Sequence, residues 1–270
     1  MGWDEMSDGL NIIVCIKQVP ETTEVEIDPE TGRLKREEVT AAVNPFDEFA
    51  VEEGLRLKER CGGTVKALTM GPPMAEAALR DAVAMGCDEA WLATDRAFAG
   101  ADTLATSYTL SLCIEKMAPN DLIICGLKTT DGDTGQVGPE LAEHLGIPHI
   151  CYVNKVLEVS DSTIRVTRML DDGVETLEAP LPVLITVTKE INQPRLATLR
   201  GRLKARKAEI MQLTSKDVAG NPDRFGLDGS ATRVIKVFTP EPPAGGEVVE
   251  GSPDELAERI LGKLIECKVI

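Results

Sequence analysis

Five short, almost continuously apolar runs constrain this chain more than anything else in it: residues 11–17 (NIIVCIK), 64–70, 89–93, 121–125 and 182–188. Each is too short for a core helix, and none shows the in-out alternation of a strand with one wet face. Such runs form strands buried on both sides, which arise where helices cover both faces of a mainly parallel sheet.

The segments between them carry helical punctuation. In the first, Asn44 can cap, Pro45 suits the first helical position, acids precede Lys58 and Arg60, and Gly62-Gly63 ends the run. Further helices are expected over 73–85, 102–117 and 137–145. Strand and helix therefore alternate as in a doubly wound, mainly parallel, Rossmann-like α/β fold, which binds ligands at the carboxyl ends of its strands.

After Pro148 the pattern turns β-rich, over 153–159, 163–170 and 174–179, with Ser160-Asp161 and Asp171-Asp172-Gly173 as turns. This predicts an antiparallel insertion before the last core strand. Residues 195–207 contain several Arg and Lys and no acid, and the Pro, Gly and Glu stretch at 239–252 reads as a linker. Beyond it Ser252 and Glu255 can cap a helix whose Leu256, Ile260, Leu261, Leu264 and Ile265 share one face. The expected division is an α/β domain over 1–193, a loop and basic segment over 194–238, and a linker with a C-terminal amphipathic helix over 239–270.

Charge and cysteine usage remove several classes. A net charge of −16 argues against a nucleic-acid surface, which needs clustered cations. The seven cysteines include no Cys-x-x-Cys pair and several sit inside apolar runs, the pattern of a reducing cytoplasm without zinc or disulfides. His144 and His149 have no ligand-like spacing and read as structural. Residues 1–10 are polar and acidic, and no apolar run nears the roughly 20 residues of a membrane span. The chain is expected to be cytoplasmic.

The stretch that best carries chemistry is 125–136 (CGLKTTDGDTGQ), which leaves a buried strand and enters a helix. Gly126, Gly132 and Gly135 permit close backbone approach and positive φ. Thr129, Thr130 and Thr134 offer hydroxyls, and the helix beginning at Gln136-Val137 presents free N–H groups to a phosphate. An ordinary surface loop with capping residues fits the same spacing, and neither a Walker lysine nor GxGxxG is present.

Several separate segments resemble the β subunit of electron transfer flavoproteins: VCIKQVP (14–20), VNPFDEFAVEEGLRLKE (43–59), DGDTGQVGPELAEHLG (131–146) and VTRMLDDGVETLEAPLPVLIT (166–186), with coverage from about 12 to 207. The resemblance implies an adenine-nucleotide-binding fold that holds AMP or FAD and pairs with a larger, FAD-carrying α subunit. By position it implies that Cys15, Asn44, Asp47 and Met70 surround the nucleotide, and that Gly126, Thr129, Thr130, Asp131, Gly132, Asp133, Thr134, Gly135, Gln136 and Val137 cradle its phosphates and ribose. Cys15 and Met70 also read as core fillers, and Asn44 with Asp47 as a helix cap.

GADTLATS (100–107) resembles a segment of the flavin-bifurcating branch, which implies FAD over AMP through Asp102, Thr103 and Thr106, although Asp102 also reads as a plain cap. In that branch NADH donates electrons, which divide between ferredoxin or flavodoxin and an acyl-CoA dehydrogenase-type or quinone-linked acceptor. PRLATL (194–199) resembles the family's partner-recognition loop, implying docking through Arg195, Leu196 and Leu199, with Arg195, Arg200 and Arg202 as steering charge, although an ordinary solvated basic turn fits the same residues. The chain departs from the pattern at Leu127-Lys128-Thr129, Ala101 and Leu196. A stand-alone nucleotide sensor is the reading from another class; a nucleotide-dependent ligase would show an SGGxDS-like loop where this chain has KQVPETTE.

Overall fold

A computed structural model describes residues 9–20, 41–236, 245–246 and 248–270. The polar start over 1–8, the KQVPETTE stretch beyond residue 20, and linker residues 239–244 and 247 lie outside the described residues. In chain order the elements are β1 (Leu10–Cys15), β2 (Gln18–Pro20), β3 (Ala41–Val43), α1 (Pro45–Cys61), β4 (Gly63–Met70), α2 (Glu76–Met85), β5 (Glu89–Ala93), α3 (Thr103–Met117) and β6 (Leu122–Gly126). They continue as α4 (Val137–Leu145), β7 (His149–Val159), β8 (Thr163–Leu170), β9 (Gly173–Pro180), β10 (Val183–Val187), α5 (Leu199–Lys207), β11 (Met211–Leu213) and α6 (Pro253–Glu266).

The main sheet has nine strands in the order β11-β5-β4-β1-β6-β10-β7-β8-β9, parallel from β11 to β7 and antiparallel from β7 to β9. Successive residues of β1 explain why its run is apolar throughout. Ile12 and Val14 enter one core cluster with residues of α1 and α2, while Ile13 and Cys15 enter a second with residues of α3 and α4. Each fully buried Ile or Leu contributes ~1.5–3 kcal/mol, so such a strand tolerates no polar face. The chain goes from β1 to β4 on one side and from α3 to β6 on the other. The strand order therefore reverses at β1/β6, where a doubly wound sheet opens a crevice beyond the strand ends.

The punctuation works as expected at α1, with Pro45 first, Asp47 and Glu48 in the first turn, Lys58 and Arg60 in the last, and Gly62 at φ 75° beyond. Helices α3 and α4 occupy the expected stretches, and a 3-10 turn at Pro73–Ala75 precedes α2. The antiparallel insertion is β7-β8-β9. Strand β7 begins four residues before the apolar stretch that predicted it, because His149 and Ile150 pair with Leu184 and Ile185 of β10.

The basic stretch after 195 becomes helix α5, which packs on α2. Arg80 donates to the Ala205 carbonyl, and Gly201 lies so close to the Ala84 carbonyl that a Cβ would collide with it. Strand β11 then pairs in parallel with β5 at the sheet edge. Residues up to 235 form one compact unit and 236–270 another. Within the second, Ser252 and Glu255 form the expected capping box of α6, and Ile260, Leu261 and Ile265 are exposed. No helix among the described residues is long and apolar enough to cross a membrane.

Ile124 of β6, fully buried beneath the crevice, tests this core. Ile124→Ala is expected to lower the unfolding free energy by ~2–5 kcal/mol, seen as a lower urea midpoint at unchanged m-value.

Candidate functional site

The carboxyl ends of β1 and β6 stand side by side at the crevice, with Cys15 opposite Cys125 in register. Both thiols are buried in one apolar cluster, and Met70, half-buried at the end of β4, packs against it. The Cys15 side chain and burial hold the Cys125 thiol well above its usual range.

Helix α1 starts at this crevice, and its first turn organises the loop that leaves β6. Asn44 is fully buried but its side chain makes no cap to α1, contrary to the capping role its position predicts. The Asn44 backbone carbonyl accepts from Asp47 and Glu48, so the side chain is free to reach the loop. Its Nδ2 donates to the Lys128 carbonyl at 2.9 Å and its Oδ1 accepts from Thr130 N–H at 3.2 Å.

Asp47 makes the second fastening. Its buried carboxylate accepts from Lys17 N–H at 2.7 Å and from the Gly126 N–H. Residue 126 must be glycine, because a Cβ there would collide with Asp47 Oδ1 and the Phe46 backbone. Burial pushes the Asp47 carboxyl up to about 7, against the opposing pull of the Asn44 side chain, the two backbone N–H groups and the Lys17 charge.

The loop itself, 127–136, lies open to solvent over 130–134. Its two carboxylates are each paired with a lysine: Asp131 accepts both its bonds from Lys17 Nζ, at 2.7 and 2.8 Å, and Asp133 pairs with Lys128 at 2.7 Å. Burial raises the Asp131 carboxyl, but the Lys17 ammonium and the Thr129 hydroxyl outweigh it and leave it below the usual range. Lys128 also sits 6.0 Å from the centre of the Phe46 ring. Of the three glycines, Gly135 has positive φ at 64°, Gly126 gives close approach, and Gly132 packs beside Thr129 Oγ1; a further left-handed residue is Asp133, at φ 54°.

Helix α4 begins after Gln136 with no side-chain cap; Val137 is half-buried and Gly138 buried against Thr186. The start of α3 lies alongside: Thr103 Oγ1 donates to Gln136 Oε1 at 3.4 Å and to Glu140 Oε1 at 3.2 Å. Asp102 is already occupied. One carboxylate oxygen caps α3 through Ala105 N–H, the other accepts from Thr232 N–H and Oγ1, and Asp102 N–H donates to Ser230 Oγ. Thr106 is half-buried in the first turn of α3, its N–H bonded to the Asp102 carbonyl.

A second constellation lies further along α1. Arg195 is turned inwards rather than offering a free steering charge: its Nε donates to Glu52 at 2.7 Å and its Nη atoms also bond Glu59. Burial acts to raise the Glu52 carboxyl, but Arg195 and Arg56 hold it below its ordinary value. Leu196 and Leu199 project, 93% and 76% exposed, with Arg200 and Arg202 exposed beside them. Lys17, Glu52, Glu59 and Asn192 had no assigned role in the sequence, because their partners lie more than a hundred residues away; Lys128 had none although Asp133 is close by.

The model of the electron transfer flavoprotein domain matches residues 31–218. The chain is 47% identical over 262 residues to "Electron transfer flavoprotein subunit beta" of Thermoanaerobacterium thermosaccharolyticum, covering 97% of this chain and 100% of that one. It is 42% identical over 263 residues to "Caffeyl-CoA reductase-Etf complex subunit CarD" of Acetobacterium woodii, covering 97% and 100%. It is 44% identical over 266 residues to "Protein FixA" of Azotobacter vinelandii, covering 94% of each.

Asp47 sets a pH dependence whose sign follows from its raised value. An acid whose folded pKa lies above its unfolded one favours folding fully below the unfolded pKa and loses that contribution as pH rises through the folded value, here from 3.8 to about 7. Urea unfolding between pH 5 and 8 is expected to show falling stability in the parent and a flatter profile in Asp47→Asn; parallel profiles would exclude Asp47 as the source.

Proposed function

The chain belongs to the electron transfer flavoprotein family as a β subunit, and from that premise we propose that it holds FAD at the β1/β6 crevice and works in a heterodimer with an α subunit. In this reading the complex is cytoplasmic and accepts electrons from NADH. It passes one toward ferredoxin or flavodoxin and the other toward an acyl-CoA dehydrogenase-type or quinone-linked acceptor. When bound, the flavin supplies the one- and two-electron chemistry; the chain needs no nucleophile or base of its own.

The observation that carries the reading is the open, fastened loop at the switch point. Helix α4 starts without a side-chain cap at Gln136, and the loop that leads to it carries the Thr129, Thr130 and Thr134 hydroxyls. The loop's carboxylates would repel a diphosphate if bare, but Lys17 neutralises Asp131 and Lys128 neutralises Asp133. Asn44 and Asp47 hold that arrangement before any ligand arrives, which lowers the cost of binding. Thr103, bonded to Gln136, links the loop to the start of α3. In this reading Cys15 and Met70 give the apolar floor.

One observation favours AMP as a structural nucleotide instead. Asp102 fills the α3 start with Ala105 and Thr232, so fewer N–H groups there remain for a second phosphate. The likeness to a subunit of a caffeyl-CoA reductase-Etf complex supports a reductase-linked role with either cofactor. Docking to an acceptor is assigned to Leu196 and Leu199, apolar anchors flanked by Arg200 and Arg202, with Arg195 holding their loop.

Flavin and nucleotide analysis of the purified heterodimer tests the choice. Two FAD per heterodimer is the expected result; one FAD with one AMP would transfer the assignment to the structural nucleotide. Asp131→Ala and Gly132→Val are expected to weaken retention in this subunit about tenfold, equivalent to ~1.4 kcal/mol, while the α subunit keeps its FAD. Full retention in both variants would remove the loop from the site.

A further inference from the structure

The segment that carries Leu196 and Leu199 is held to α1 more tightly than an exposed loop requires. Asn192 Nδ2 donates to the Phe49 carbonyl and to Glu53 Oε2, both at 3.0 Å, and Arg56 Nη2 donates to the Gln193 carbonyl at 3.2 Å. Glu52 is the hub. Its carboxylate, 3% exposed, accepts from Arg56 Nε at 2.7 Å and, from residue 195, both the backbone N–H at 3.1 Å and the guanidinium Nε at 2.7 Å. Glu59 takes the far edge of the same guanidinium.

The other end of the segment is equally fixed. Ala197 packs against the core, Thr198 caps α5 by accepting from Gly201 N–H at 3.0 Å, and Gly201 sits against the Ala84 carbonyl. Between two pinned ends the backbone has little freedom, yet the side chains of Leu196 and Leu199 point into solvent. Stability alone is a weak reason for the arrangement, because a buried ion pair roughly cancels its own desolvation cost. Pinning does have a clear effect on association: ordering a free residue costs ~1–2 kcal/mol of backbone entropy, and a loop ordered beforehand does not incur it on docking.

We infer that Glu52 is a positioning residue for partner docking: by gripping Arg195 at backbone and side chain it sets Leu196 and Leu199 in their docking geometry before a partner arrives. The inference rests on the reading of those leucines as the docking anchors. Glu52 is bonded to Arg56 and Arg195 and not to the 127–136 loop, and it acts on the leucines through Arg195.

The test uses the intact heterodimer and the acyl-CoA dehydrogenase that the parent protein reduces, with a small redox dye as an acceptor that needs no docking. Glu52→Gln is expected to raise the KM for the dehydrogenase about tenfold, with kcat, dye reduction and flavin content within about twofold of the parent. Amide exchange of 192–199 should speed up. Arg195→Lys, which keeps the charge but loses the fork, is expected to give a smaller rise in KM and serves if Glu52→Gln does not fold. Leu199→Ala separates the two readings. A raised KM in Leu199→Ala with parental KM and exchange in both Glu52→Gln and Arg195→Lys overturns the positioning role alone. A parental KM in Leu199→Ala overturns the docking assignment and this inference with it.

Discussion

The first turn of α1 is where the rest of the structure is decided. Asn44 and Asp47 lie at the crevice where the strand order reverses, and both turn their polar groups away from their own helix. One clamps the loop after β6 at Lys128 and Thr130; the other joins the end of β1, at Lys17, to the end of β6, at Gly126. A buried amide and a buried carboxylate are expensive unless fully bonded. Their partners are backbone groups of the two loops that must stay in place, so the cost of burial and the shape of the site are coupled.

This coupling explains which parts were legible in the amino-acid sequence. The runs at 11–17 and 121–125 declared themselves because a strand covered on both faces must be apolar at every position, and the helix starts at Pro45 and Asp102 follow local rules, a first-position proline and a side-chain cap. The 125–136 stretch stood out as a glycine-rich exit from such a strand, a pattern that an ordinary capped loop shares. The roles of its members were not legible. Asn44 matched a cap because Asn before Pro at a helix start usually is one, and only the tertiary placement of Lys128 shows its real partner. Arg195 looked like a surface charge because Glu52 and Glu59 lie more than a hundred residues earlier. Strand β11 is three residues long, below the length at which periodicity speaks.

Charge is arranged against the grain of the whole molecule. A chain with net charge −16 is a poor host for an anionic cofactor at long range. The problem is solved within a few ångströms: each aspartate of the loop has its own lysine, and the uncapped start of α4 adds the positive end of a helix dipole. The surrounding acidity then has little effect on the ligand, since screening limits it to about 8–10 Å. It does bear on partners, because the exposed cations of α5 form a positive island on a negative surface, and such an island orients an approaching molecule even where it adds little affinity.

The same helix that frames the candidate cofactor loop also frames the proposed docking loop. Asp47 and Glu59 belong to α1, and at about 1.5 Å of rise per residue they are separated by about 18 Å. Between them run Phe49, Glu52, Glu53 and Arg56, all bonded to the 192–195 segment. An α-helix packed along the sheet is stiff on that scale: Gly54 lets it approach β1 until a Cβ would stand 3.1 Å from Val14 Cγ2. For a protein that moves electrons this is a direct advantage, since transfer depends on separation between donor and acceptor. On the proposed reading, mounting both loops on one rigid body fixes the distance between the crevice and the point of docking.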